Sequence, residues 1–244
     1  EIEIIPENIP LEIPYEDDDL LLVNKRPGLV VHADETEKVN TLINHIQAYL
    51  YQKRERNPRW ENAFAPALCN RIDRNTGGMV IAAKNAETLR IINEKIRLRE
   101  IDKRYLCITV GRPKPPEGRI ECFLLKDEQK KQVAVYHKPV PGGKTAVTDY
   151  RTLETRGELS LVEVGLETGR THQIRVHMAS TGHPLAGDAV YGPKNCIKSL
   201  NGQCLHAKVR GFVQPKTGEW MQFDSPLPPY FTDFLTRLRK EHRA

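Results

Sequence analysis

The 244-residue chain has no CxxC pair. Its five cysteines, Cys69, Cys107, Cys122, Cys196 and Cys204, are odd in number and widely spaced. That pattern excludes a disulfide framework and a thiolate zinc finger, and it fits reduced thiols in a cytoplasmic protein. No apolar run is long enough to span a bilayer and no signal peptide opens the chain, so no membrane partner is expected. GxxxxGK[ST] is absent, which removes the phosphate loop of nucleotide hydrolases. Internal repeats, low-complexity stretches and a clear linker are also missing. Charge of one sign is barely in excess: 37 Lys and Arg against 32 Asp and Glu leave a net charge of +5. Such a balance tolerates a polyanionic partner without requiring one.

What is there is ordinary globular composition, 39% hydrophobic and 28% charged, at a length sufficient to bury one large core. Asp19–Ala33 reads as strand, turn, strand around Pro27-Gly28. Leu42, Ile43, Ile46 and Leu50 fall at helical spacing, and the basic stretch Tyr51–Trp60 after them reads as an exposed loop. Met79–Lys84 is a short buried strand, and Asn85 caps a helix with the stripe Leu89, Ile92 and Ile96. Five strand signals follow, at Arg104–Val110, Arg119–Leu125, Gln132–Tyr136, Ala146–Glu154 and Leu159–Glu167, with turn residues between them. Few helices interrupt them, so antiparallel pairing is expected. Thr171–Thr181 predicts a helix with Thr171 as its N-cap and Gly182 just beyond. A late strand pair precedes a terminal helix carrying Phe231, Phe234, Leu235 and Leu238 on one face. The expectation is an α+β fold: a long mixed, mainly antiparallel sheet with flanking helices, in one domain over residues 1–244.

Two stretches carry candidate chemistry. In "LCNRIDRNTGGMVIAAK" a single acid, Asp73, stands between Arg71 and Arg74. A solvated Arg–Asp–Arg cluster of little energetic value is the ordinary outcome for such a pattern. Apolar residues on both sides and Gly77-Gly78 argue instead for a partly buried carboxylate, which needs a cation to stay charged. In "GRTHQIRVHMASTGHPLAGDAVYG" His172 and Arg175 share a helical face, and Arg175 is the candidate cation. The bland alternative is an amphipathic helix with solvated polar residues. His172, His177 and His183 are separated by intervals that match no usual zinc pattern, so no metal is expected.

Five blocks in order, "NKRPGLVVHADE", "NRIDRNTGGMVIAAKN", "KRYLCITVG", "GRTHQIRVHMASTGHPLAGDAVYG" and "LHAKVRGFVQPKTGEWMQFDSPLP", resemble the catalytic domain of RluA-type pseudouridine synthases. The resemblance runs from about Ile9 to about Tyr230. It implies the pseudouridine synthase fold with a central catalytic cleft, and an isomerase that detaches uracil from ribose in RNA, turns it and rejoins it through carbon 5. It implies Asp73 as catalytic aspartate, Tyr105 as the tyrosine stacked on the base, and Arg175 as the arginine paired with the aspartate. By the same resemblance Leu205 packs against the base, and Arg71, His172 and Gln173 contact substrate. No cofactor or metal is implied. The partner is RNA, ribosomal or transfer, and a monomer in the cytoplasm is expected.

The physics of the reaction is consistent with these residue types. A target nucleotide must leave its stack at a cost of roughly a few kcal/mol, which a basic rim and an aromatic platform offset. Asp73 must be ionised to act as nucleophile or base. The chain departs from the family at Asn70, where many relatives have His, at Thr76-Gly77-Gly78 in place of Thr-Ser-Gly, and at Arg26. Many relatives carry an RNA-binding domain upstream, and none is expected within this chain, which opens at Glu1. Substrate choice is expected from the loops Tyr51–Trp60, Asp127–Lys131 and Lys194–Gln203. The rival readings are an RNA-binding module without chemistry and a metal-dependent hydrolase built on the histidines.

Overall fold

A computed structural model describes residues 10–53, 55, 64–192, 200 and 202–243. Among them are eleven strands and four helices, and the chain divides into two compact units. The first comprises Glu1–Ile101 and Arg210–Ser225, the second Asp102–Val209 and Pro226–Ala244.

The first unit is built on two strands buried along nearly their whole length, β2 (Leu20–Lys25) and β4 (Gly77–Ala83). Continuous apolar runs, rather than alternation, are what a strand covered on both faces requires. The two pair antiparallel from Leu20 opposite Ala83 to Lys25 opposite Gly78. The edges are β1 (Glu12–Glu16) on β2 and the short β3 (Ala67–Leu68) on β4. The last residues of β10 (Leu205–Val213) and β11 (Trp220–Asp224), which pairs with it, belong to this unit. Helix α2 (Ala86–Arg97) begins at the predicted cap, the Asn85 side chain accepting from Thr88 N. Its stripe closes the core: Ile92 is fully buried against Leu20, Leu22, Met79, Ile81 and Phe212, with Leu89 and Ile96 beside it. Burying a side chain of that size contributes about 1.5–3 kcal/mol.

Helix α1 (Leu42–Gln52) is capped by Thr41, whose hydroxyl accepts from Asn44 N. It runs into the first residues of the stretch expected to be loop; 54 and 56–63 lie outside the described residues. The second strand expected after Pro27-Gly28 does not form. Only Val30 bridges, in parallel, to Thr41, and Val30 O and Val31 O accept from Leu42 N and Ile43 N. The segment is thus tied to the start of α1 instead of folding back on β2.

The second unit is a run of antiparallel neighbours in the order β5 (Asp102–Val110), β9 (Leu159–Leu166), β8 (Lys144–Arg156), β6 (Glu117–Asp127) and β7 (Gln132–Tyr136). The strand predicted at 132–136 is found with the same bounds, the one predicted at 159–167 ends one residue earlier, and the other three extend by a few residues. Helix α4 (Pro229–Glu241) buries Phe231, Phe234, Leu235 and Leu238, the four residues read as its apolar face, against Ile108 and Leu161. Helix α3 (Gln173–Ser180) starts later than expected. Its N-cap is His172, in the left-handed conformation at φ 55°, and not Thr171. Gly182, at φ 86°, follows its end as predicted.

Candidate active site

Asp73 lies in the first unit, half-buried, in the segment leading into β4. A tight turn places it: Thr76 N donates to Asp73 O at 3.0 Å. The turn is held from behind by Lys25, the last residue of β2. Its Nζ donates to Arg26 O, Leu29 O and Arg74 O at 2.9, 2.7 and 2.9 Å. Arg74 O also accepts from Gly28 N at 2.7 Å. Gly28 has φ 94° and open space where a Cβ would stand, so backbone conformation and not room demands glycine there.

Three carbonyl acceptors call for all three N–H groups of an ammonium. Burial pulls the Lys25 pKa down to about 7, with Arg74 and Arg26 adding to the fall and the Asp73 carboxylate opposing it. The Lys25 charge is therefore coupled to that of Asp73. On the outer side the Arg74 guanidinium bonds Asp34 and Thr36, pinning the neighbouring loop. That pair is solvent-exposed and adds little stability. Asn70, where many relatives have His, takes the place of a strand partner: its Oδ1 accepts from Ile81 N at 2.8 Å and its Nδ2 reaches Met79 O. Arg71 is exposed, and beside it His32 has its pKa lowered by burial and by the Arg71 charge.

Arg175 and Tyr105 lie in the second unit, as does Leu205. Tyr105 is buried on β5 opposite Val164, and Leu205 is buried at the start of β10. Arg175 projects from α3 into a bidentate pair with Asp188, Nε to Oδ2 at 2.8 Å and Nη2 to Oδ1 at 3.0 Å. Asp188 is fully buried. Burial works to raise its pKa, and the guanidinium with the N–H groups of Tyr191 and Val190 outweighs it, so the carboxyl ionises below its ordinary range. The Tyr191 ring stands 5.2 Å from the Arg175 guanidinium carbon, and its hydroxyl lies 2.7 Å from His172 Nδ1. The left-handed backbone at His172 costs roughly 1–3 kcal/mol, the kind of strain found where a side chain must be aimed.

Gln173, read as a substrate contact, works as an anchor. It is 2% exposed, its Nε2 donates to Val147 O and Thr148 Oγ1, and its Oε1 accepts from Thr168 Oγ1 and Arg170 N. One turn on, His177 continues the chain, Nδ1 to Thr148 Oγ1 at 2.8 Å and Nε2 to Cys122 Sγ at 2.7 Å. Gln173 already donates to Thr148 Oγ1, so the threonine proton is best used on His177 Nδ1, which leaves the imidazole proton on Nε2. Burial lowers the His177 pKa to about 4 and keeps it neutral. These bonds fix how α3 seats on its sheet and hence where Arg175 points. The three histidines weighed as a metal set have separate partners, His183 meeting Val110 O. Among the described residues no cluster of three His, Cys, Asp or Glu is placed to hold a metal ion.

Sequence reasoning missed Lys25 and Asp188. A signal existed for both. Lys25 closely follows the apolar run Leu20–Val23, and Asp188 sits in "GDAVYG" among small and apolar residues. An ionisable group in such company is buried, and a buried charge has a partner.

Residues 19–180 match the family described as RNA pseudouridylate synthase, a span that contains Asp73, Tyr105 and Arg175. A Bacillus subtilis protein named as the uncharacterized RNA pseudouridine synthase YlyB is 37% identical over 239 residues, covering 98% of this chain and 76% of its own length. Ribosomal large subunit pseudouridine synthase D of Haemophilus influenzae is 34% identical over 248 residues, covering 97% of this chain and 73% of its own. The solved structure of Human RNA Pseudouridylate Synthase Domain Containing 4 shares the fold, with a TM-score of 0.74 at 24% identity over 93% of this chain and 92% of that one.

Proposed function

The chain belongs to the RluA-type RNA pseudouridylate synthase family, whose members isomerise uridine in RNA, and from that premise we propose that Asp73 is its catalytic carboxylate and structured ribosomal RNA its substrate. The reaction breaks the N1–C1′ bond of uridine and forms C5–C1′. The proton on carbon 5 leaves and N1 gains one, so no redox partner is required. Asp73 acts ionised, either on the ribose carbon or on a sugar proton. By the motif blocks Arg175 is assigned as the arginine of the reaction, Tyr105 and Leu205 as contacts to the uracil, and Arg71 and His172 as contacts to the RNA.

The observation that carries this reading is the turn at Asp73. Binding RNA needs lysines and arginines at a surface. It does not need a half-buried carboxylate whose turn is clamped by a buried lysine nitrogen on three carbonyls. Ribosomal RNA is favoured by the relatives named for the large subunit. Two measurements test the proposal. Asp73→Asn retains its fold and loses at least about 10³-fold in turnover on RNA from cells lacking the gene; equal product from both proteins removes Asp73 from the mechanism. Mapping pseudouridine in total RNA with and without the gene names the substrate, and a position lost from transfer RNA instead would reassign it.

A further inference from the structure

Two side chains of the fourth block, Asp188 and Tyr191, are given no role by the resemblance or by the mechanism. Each is bonded to a residue read as facing substrate. Asp188 occupies the Nε and Nη2 edge of Arg175 and also accepts from Val190 N and Tyr191 N at 3.0 and 3.1 Å. Three of these donors converge on Oδ1 and one on Oδ2. Gly192 N closes the turn on Asp188 O at 3.0 Å, and a Cβ on Gly192 would stand 2.3 Å from that oxygen, so the turn admits only glycine. The compact turn carries the Tyr191 ring back onto the guanidinium at 5.2 Å and against the His172 ring, edge-on at 5.5 Å. The Tyr191 hydroxyl accepts from Val133 N at 2.9 Å and bonds His172 Nδ1 at 2.7 Å.

We infer that Asp188 and Tyr191 are positioning residues, a frame that fixes which edge of Arg175 is presented to the target nucleotide and how the His172 ring is oriented there. A guanidinium has two bidentate edges, Nε with Nη2 and Nη1 with Nη2. With Nε and Nη2 committed to Asp188, a second carboxylate or a phosphate is met on the Nη1 side. The Tyr191 hydroxyl holds His172 Nδ1 and so sets the orientation of the ring. The αL backbone at His172 follows from this use of the ring, because the side chain bonds Tyr191 and does not cap its own helix. The inference rests on the proposed roles of Arg175 and His172.

The test is a pair of double-mutant cycles, read as single-turnover release of tritium from 5-tritiated uridine in total RNA of cells lacking the gene. A residue that acts through another adds no loss once that other is gone. Asp188→Asn lowers the rate constant about 100-fold, as expected for a group displaced by about an ångström. The RNA concentration for half-maximal rate moves little, and no further loss follows in an Arg175→Ala background. Tyr191→Phe keeps the ring and removes only the hydroxyl. It lowers the rate constant about tenfold in the wild type and not at all in His172→Asn, asparagine being tolerant of the left-handed backbone. Losses that add in both cycles, or full activity of both single variants, overturn the frame. If Asp188→Asn does not fold, the Tyr191 cycle decides alone. If Arg175→Ala and His172→Asn are themselves as active as wild type, the assignment of those two residues fails and the frame falls with it, whereas their inactivity beside additive losses refutes the frame only.

Discussion

Lys25→Met is the substitution that tests most directly how the Asp73 turn is held. The side chains are similar in length, so the change removes the charge and three donors with little change in volume. The folded-state pKa of Lys25 is about 7, against 10.5 for the free side chain. Between those values the unfolded chain carries a proton that the folded chain has released, so the stability contributed through Lys25 rises with pH across that window and is flat below it. At about 1.4 kcal/mol for each tenfold, the wild type gains about 3 kcal/mol between pH 6 and pH 9 from this group alone. The Met variant lacks that gain. Urea unfolding of both proteins at pH 6, 7.5 and 9 gives the difference directly. It should grow in favour of the wild type by about 3 kcal/mol on going from pH 6 to pH 9. A difference that stays constant with pH refutes the burial argument. Turnover is a second readout: without the ammonium, Arg26 O and Leu29 O lose a donor and the Asp73 turn loosens, so the Met variant should fall at least about tenfold in kcat.

His177 gives a window of the same sign at lower pH. Its folded pKa of about 4 lies below the ordinary 6.5, so the stability it allows is present above 6.5 and is lost as pH falls towards 4. That loss amounts to about 3 kcal/mol. His177→Gln should flatten the difference between urea curves at pH 7 and pH 4.5. Ile92→Ala should destabilise by about 2–5 kcal/mol in the same assay, because the side chain is fully buried, while kcat at low temperature is kept. A chelator should leave turnover unchanged; activity that disappears with it would revive the hydrolase reading built on the histidines.

Much of the fold was legible because its signals are local. Asn85 and Thr41 cap helices by bonds three residues long, and the apolar face of α4 is a 3.6-residue pattern within one segment. The strands from Asp102 to Leu166 are separated by turns that a single sequence displays. The errors fall where tertiary partners decide. The segment after Gly28 has the residues of a strand, but its carbonyls are taken by Lys25 Nζ and by the start of α1. Thr171 is a better N-cap than His172 by propensity, yet the helix begins after His172, whose side chain bonds Tyr191 and caps no helix N–H.

The site divides along the same line. Asp73, Tyr105 and Arg175 stand inside motif blocks and could be named from the order of those blocks. Lys25 and Asp188 stand inside the blocks too, but what each is bonded to is not written there: the hydrogen bond between Lys25 and Arg74 spans 49 residues and no periodicity reports it. Gln173 belongs to the same "HQIR" block as Arg175 and is expected beside it at substrate. On a helix, however, residues two apart point away from each other. Arg175 and Gln173 therefore cannot serve one face, and the amide that seemed to meet substrate is the one that anchors the helix to Val147 and Thr148. A motif marks a segment under joint constraint. Which of its members touches substrate and which holds the segment in place is settled by the direction each side chain takes.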